Sequence, residues 1–250
     1  MSLPNVNITL GNGNIGAVTL SDDGIAGLIL TGTAVSSTLE LNKVYVIAST
    51  SDLKKLGLTA ENNPLAYKEV LGFYESAGDG AELHLLVVDA AKTLTEICSM
   101  EDGSPLKTLI DSAAGRIRLV GINRNPEDAY EPTVTSGIDQ DVVTAVTAAQ
   151  QVVESYLKQI APFVVLLPAL AWNGTTDSLY QPREGSQDSV SVVMASDGIY
   201  GESKYYSAAI GRVLGRLATC AVNISLARVR DGSLVADGYL TNGKKPEESY

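Results

Sequence analysis

Histidine is almost missing from this sequence: one residue, His84, serves all 250 positions. It stands in ELHLLVVD, an apolar run that reads as a buried strand, where a histidine is a satisfied core or edge residue before it is a catalyst. A hydroxyl or thiol nucleophile therefore has no second imidazole to act as its base, and the G-x-S-x-G elbow does not occur. Cysteine is nearly as scarce. Cys98 and Cys220 lie far apart in apolar helical contexts, which writes neither a disulfide framework nor a Cys-rich zinc site and fits a reducing cytoplasm. Positive charge is short as well: 18 Lys and Arg against 29 Asp and Glu leave a formal charge of −11, no footprint for nucleic acid or an anionic membrane. The opening MSLPNVNITL has no basic region followed by an apolar one, and no run of about 18 apolar residues occurs, so neither a leader peptide nor a membrane span is expected.

What is present is an ordinary apolar content of 45%, enough for a real core without covalent staples. Val6, Ile8 and Leu10 alternate with polar residues, the period of a strand with one wet face, so residues 1–20 read as an extended arm or an edge hairpin. Strand-like runs follow at 24–32 and 43–49, the second leading into TSDLKKLGL, where Thr50 or Ser51 can cap a short helix. Pro64 opens a helical pattern that stops at Gly78, and a buried strand spans 83–88. SPLKTLIDSAAG reads as a capped helix, 116–122 as a strand, and 123–138 as a polar loop. The longest helix follows over 139–160, with a stripe of Val142, Val146, Ala149, Val153, Tyr156 and Ile160 too short for a coiled coil and suited to packing on a sheet. Strands are expected at 162–170 and 189–196, and a last helix at 204–221.

Strands that alternate with helices, several of them apolar on both faces, predict an α/β fold: a mainly parallel sheet flanked by helices on both sides, with an extended β N-terminal arm. The expected organisation is an arm over 1–20, a core over 21–235 with room for a subdomain at 123–200, and a polar, exposed tail over 236–250.

LGNGNIGAV invites a nucleotide. Gly11, Gly13 and Gly16 spell G-x-G-x-x-G after a strand-like segment, but a dinucleotide turn must open a helix whose N-terminus receives the pyrophosphate. AVTLSDDG follows instead, β-branched and then turning, so the glycines read as punctuation in a β arm. The acidic pairs Asp22/Asp23 and Asp139/Asp141 sit where turns and helix caps already favour an acid. No catalytic residue, metal or cofactor is expected from these patterns. In SAAIGRVLGRLATCA, Gly211 and Gly215 fall one turn apart inside a helix, each costing about 1 kcal/mol relative to alanine. Close approach of another backbone, either the underlying sheet or a neighbouring subunit, would offset that cost. Arg212 and Arg216 share another face, either pairing with local acids or meeting an acidic partner.

Several of these segments, taken in order, resemble the tail sheath proteins of contractile phage tails and related injection machines. The likeness lies in S-D-L-x-x-x-G (Ser51, Asp52, Leu53, Gly57), in G-x-x-x-E-L-x-L-x-V-V (Gly78, Glu82, Leu83, Leu85, Val87, Val88), and in the glycine-containing helix AAIGRVLGRLATCAVNISLARV. It covers roughly residues 20–90 and 200–235. The resemblance implies a non-enzymatic structural subunit that polymerises helically around an inner tube protein, with a baseplate as further partner, and contracts to drive the tube forward. It implies arms that complete a neighbour's sheet, which makes Val6, Ile8, Leu10, Val18 and Leu20 interface residues, with Gly211, Gly215, Arg212 and Arg216 beside them. It also implies assembly in a bacterial cytoplasm, in the virion tail if phage-derived. Sheath proteins usually continue beyond this helix; here KKPEESY follows soon after, so the sequence reads as a truncated or a short member. Two other functions stay open on the residues alone: a doubly wound enzyme or nucleotide-binding module with its ligand near Asp89, Asn123 and Pro168, and an adaptor that binds a protein through the Trp172 loop.

Overall fold

The computed structural model describes residues 24–127, 129–159, 161–173, 180–201, 203–220, 225–226, 228, 232–235 and 238–248. The expected arm, with Val6, Ile8, Leu10, Val18, Leu20 and the glycines of LGNGNIGAV, lies outside these residues, as do Asp22, Asp23 and Ile160.

Six strands form the main sheet: β1 (Ala26–Gly32), β2 (Val44–Ile47), β3 (Leu83–Asp89), β4 (Leu119–Asn123), β7 (Val164–Pro168) and β8 (Val190–Val193), in the order β2-β3-β1-β4-β7-β8. All neighbours pair in parallel except the edge strand β2, which runs antiparallel to β3 with Val46 opposite His84. Five parallel strands need crossovers, and the chain supplies helices for them on both faces. Leu28, Leu30, Leu83, Leu85 and Val87 point to one face, under α1 (Ser51–Lys55), α2 (Pro64–Ala77) and α6 (Ile210–Thr219). Ile29, Leu86, Val88, Val120 and Val165 point to the other, under α3 (Leu94–Ile97), α4 (Pro105–Ser112) and α5 (Gln140–Leu157). Because β1 and β3 are covered on both sides, their sequences carry unbroken apolar runs instead of alternation. The fold is α/β with a mainly parallel sheet between helical layers.

The helices form where period and caps agree. On α5, Val142, Val146, Ala149, Val153 and Tyr156 are all buried against the sheet, and Asp139 caps it by accepting from the Asp141 amide at 3.0 Å. In α3, a capping box of Thr93 and Glu96 closes one turn that the hydrophobic pattern alone is too short to show.

Three boundaries differ from the sequence expectation, for one reason. The run expected as one strand over 189–196 splits: β8 ends at Val193, and β9 (Ala195–Gly198) leaves for a second sheet of order β10-β9-β11. Here β10 (Ser207–Ala208) replaces the first turn of the helix expected from 204, because Ser207 and Ala208 spend their carbonyls on Ser196 Oγ and Asn123 Nδ2. Within the tail expected to be polar and exposed, β11 (Tyr239–Leu240) pairs with β9, and the amide of buried Thr241 donates to the Met194 carbonyl at 2.8 Å. Such pairing is made by main-chain groups and leaves no apolar period in the sequence. The loop over 123–138 likewise holds a small hairpin, β5 (Val134–Thr135) and β6 (Ile138–Asp139).

Candidate functional site

Polar side chains converge where α2, α6, β4 and the small sheet meet. α6 lies against α2 at backbone distance: a Cβ on Gly211 would overlap the Glu69 carbonyl oxygen, and one on Gly215 would overlap that of Phe73. On the facing side, a Cβ on Gly72 would stand 2.9 Å from Arg212 Cγ. The backbone approach that Gly211 and Gly215 imply is thus made by α2 of the same chain.

This contact encloses Glu69, which is only 2% exposed. One carboxyl oxygen accepts from Asn123 Nδ2 at 2.9 Å and the other from the Gly211 amide in the first turn of α6. Asn123 also reaches Ser207 Oγ at 3.0 Å and the Ala208 carbonyl at 2.8 Å, so one amide ties α2, β4 and β10 together. Burial, and secondarily the Asp197 charge, push the Glu69 carboxyl up to about 8, outweighing the donors from Gly211 and Asn123 and the charge of Lys68. Asp197 accepts from Lys68 at 2.7 Å and from Arg212 Nε at 3.3 Å, while Arg212 also pairs with Glu75. The Tyr200 hydroxyl accepts from Lys68 at 2.9 Å. Arg216 donates to the carbonyls of Gly232 and Ser233 at 3.0 and 3.3 Å.

Across the sheet, Asp141 does more than cap. Its carboxylate accepts from the amides of Leu94 and Thr95 at 2.8 and 3.0 Å, from the Thr95 hydroxyl at 2.7 Å, and from buried Arg124 at 3.4 Å. Arg124 in turn lies over the Tyr130 ring at 4.4 Å, and Tyr130 donates to Asp139 at 2.6 Å. Both acids of that pair serve the packing of α3 and α5. Among the described residues no group of three His, Cys, Asp or Glu is placed to hold a metal ion.

The residues proposed for a ligand at the strand ends do not form one cleft. Asp89 is exposed and turns the chain by accepting from the Ala91 amide at 2.9 Å, whereas Asn123 is sealed inside the network above. The crevice between the carboxyl ends of β1 and β4 is filled by the chain itself. Asn63 spans the Thr33 amide and carbonyl at 2.8 and 3.1 Å, the Asn125 amide donates to Thr31 at 2.9 Å, and the Asn125 side chain holds the Tyr200 carbonyl at 3.0 Å. A cavity of about 150 Å³ is left there, below the roughly 300–1,000 Å³ of small-molecule sites. His84 is buried, its Nε2 2.8 Å from Glu82. Trp172, expected as a possible contact for another protein, is 4% exposed and packs in the core with α5.

A family model described as DUF2586, N-terminal domain, matches residues 3–249. The chain belongs to that family. No curated protein matches the sequence. Among solved structures, this DUF2586 chain is similar to the helical sheath of the anti-feeding prophage (AFP) in its contracted state, at 17% identity and a TM-score of 0.49 over 86% of this chain and 51% of that one. It is also similar to the PVC sheath complex of an extracellular contractile injection system in its contracted state, at 11% identity and a TM-score of 0.38 over 86% of this chain and 49% of that one. The chain thus spans about half the length of each sheath protein. Among the described residues, no helix is long and apolar enough to cross a membrane.

Proposed function

We propose that this DUF2586 chain is a structural, non-enzymatic subunit of a contractile sheath, which polymerises helically around an inner tube and contracts to drive it forward. One observation carries the reading: two of the three stretches that resemble sheath proteins fall on one structural unit, the β2-β3 rim of the main sheet with α1 and α2, and the third, α6, packs at backbone distance on α2. Asp52 accepts from the amides of Ala48 and Ser49 at the end of β2, Leu53 is the buried residue of α1, and Gly57 turns the chain at a φ of +69°. Leu83, Leu85, Val87 and Val88 then form the buried strand beside β2. The outer side of β2 carries no further strand among the described residues, and Val46 there is 62% exposed. An open, apolar strand edge in a chain of net charge −11 is a template for another chain's strand.

In this reading the arm residues Val6, Ile8, Leu10, Val18 and Leu20 supply strands to a neighbour, in a heterologous contact that propagates instead of closing. Gly211 and Gly215 are occupied by α2 within the chain, and Arg212 and Arg216, half-buried and paired inside it, would meet a neighbour with only part of their surface. The tube protein and baseplate are the further partners, and assembly takes place in a bacterial cytoplasm. Sedimentation of the protein in its full natural length tests the proposal: polymers that grow with concentration support it, and a monomer at every concentration overturns it.

A further inference from the structure

The α2-α6 contact has no tolerance for partial opening. It is made through Gly211 and Gly215, which lie against the main chain of Glu69 and Phe73, while the Arg212 side chain covers Gly72. At its centre lies a carboxyl group that is enclosed on every side. From α2 itself, Lys68 and Glu75 stand near; from β9 and the following loop, Asp197 and Tyr200; from α6, Arg212; from β4, the uncharged Asn123. Both cations are already committed to other carboxylates, Lys68 to Asp197 and Arg212 to Asp197 and Glu75. Asp197 Oδ1 is itself buried with no hydrogen-bond partner among the described residues. A charge on Glu69 would therefore be added where both nearby cations are already paired with other carboxylates, while the protonated form adds none.

We propose that Glu69 is a proton-controlled latch: α6, with the small-sheet segment that precedes it, stays docked on α2 while the Glu69 carboxyl is protonated, and its ionisation favours release of α6 into water. Release hydrates the carboxylate and separates it from Asp197. Docking and proton binding are then one linked equilibrium, and the device stands whether or not the chain serves in a sheath. The direction matches the raised proton affinity that burial and Asp197 give this carboxyl.

Hydrogen exchange of the whole chain, read amide by amide with urea below the unfolding transition, tests the latch. Amides of α6 should exchange through an opening of low urea dependence, with a smaller opening free energy than the α5 amides on the opposite face. The α6 opening constant, corrected for intrinsic exchange, should rise by about tenfold per pH unit between about pH 5 and pH 7.5, the signature of one proton released. Glu69→Gln should keep the low-urea opening and lose the pH slope. Asp197→Asn, which frees Lys68 and Arg212 to face Glu69, should move the upper end of the slope to lower pH. Equal opening free energies and equal urea dependence for α5 and α6 would overturn the latch, as would a pH-independent α6 opening in the unmutated chain. An undiminished slope in Glu69→Gln would assign it to another group and overturn it equally; if that variant does not fold, an unmoved slope in Asp197→Asn does the same.

Discussion

Gly211 and Glu69 touch twice: the Gly211 amide donates to the Glu69 carboxyl, and the Gly211 Cα stands where any added Cβ would overlap the Glu69 carbonyl oxygen. The relationship is steric and electrostatic together, and it fixes α6 on α2. An exposed glycine-to-alanine change inside a helix should stabilise by about 1 kcal/mol. Here Gly211→Ala and Gly215→Ala should each destabilise by about 2 kcal/mol or more, since overlap with main chain costs more than the propensity returns. Urea unfolding measures this, and a stabilised alanine variant at either position would show that the helices do not pack at backbone distance.

Stability should fall as pH rises through neutrality. The Glu69 carboxyl sits at about 8 in the folded chain, against an ordinary value of 4.5. Between those values the folded state holds a proton that the unfolded state has released, so this group's contribution to stability is fully present below about pH 4.5 and is lost progressively up to about pH 8. The slope attributable to this group is at most about 1.4 kcal/mol per pH unit. The difference between the unmutated chain and Glu69→Gln, followed by urea midpoints from pH 5 to about pH 8.5, isolates it from other titrations. A difference that does not vary with pH would remove Glu69 from the account.

On the opposite face, Asp141 holds α3 and the buried guanidinium of Arg124. Asp141→Asn keeps the shape and removes the charge, leaving Arg124, 5% exposed, with the Tyr130 ring and the more distant carboxylates of Asp139 and Glu96 as its compensation. The expected loss is about 3–5 kcal/mol, as for breaking a buried ion pair from one side. Replacing Arg124 by methionine in the same chain should recover part of it. A loss below about 1 kcal/mol would mean that water reaches the pair.

Much of this architecture is written in the sequence, and the illegible parts share a cause. The inner strands carry unbroken apolar runs and α5 a helical period, because burial on both faces or along one stripe dictates residue type at every position. Strands such as Ser207–Ala208 and Tyr239–Leu240 are held by backbone hydrogen bonds to β9, which select no side chain. At the site, the spacing of Gly211 and Gly215 announces a close backbone without saying whose. Gly72 is the complementary signal in α2. Glu69 reads as a solvated helical charge until its spacing is noticed: it is four residues after Leu65 and four before Phe73, both fully enclosed, so it lies on the buried face.

Removing residues 1–20 separates fold from assembly. Every strand and helix of the core described above is drawn from residues 24–248, so the shortened chain should melt cooperatively within a few degrees of the intact one while self-association is lost. Calorimetry and sedimentation report the two effects separately. A collapsed core would make these residues an internal strand, and undiminished self-association would move the contact elsewhere.

Electron microscopy of the full natural-length protein, alone and with its tube protein, shows sheath assembly outright. Helical tubes or stacked rings should appear, with density for an added strand beside β2 at Val46. Dispersed single particles under both conditions, at concentrations far above those in the cell, would contradict it.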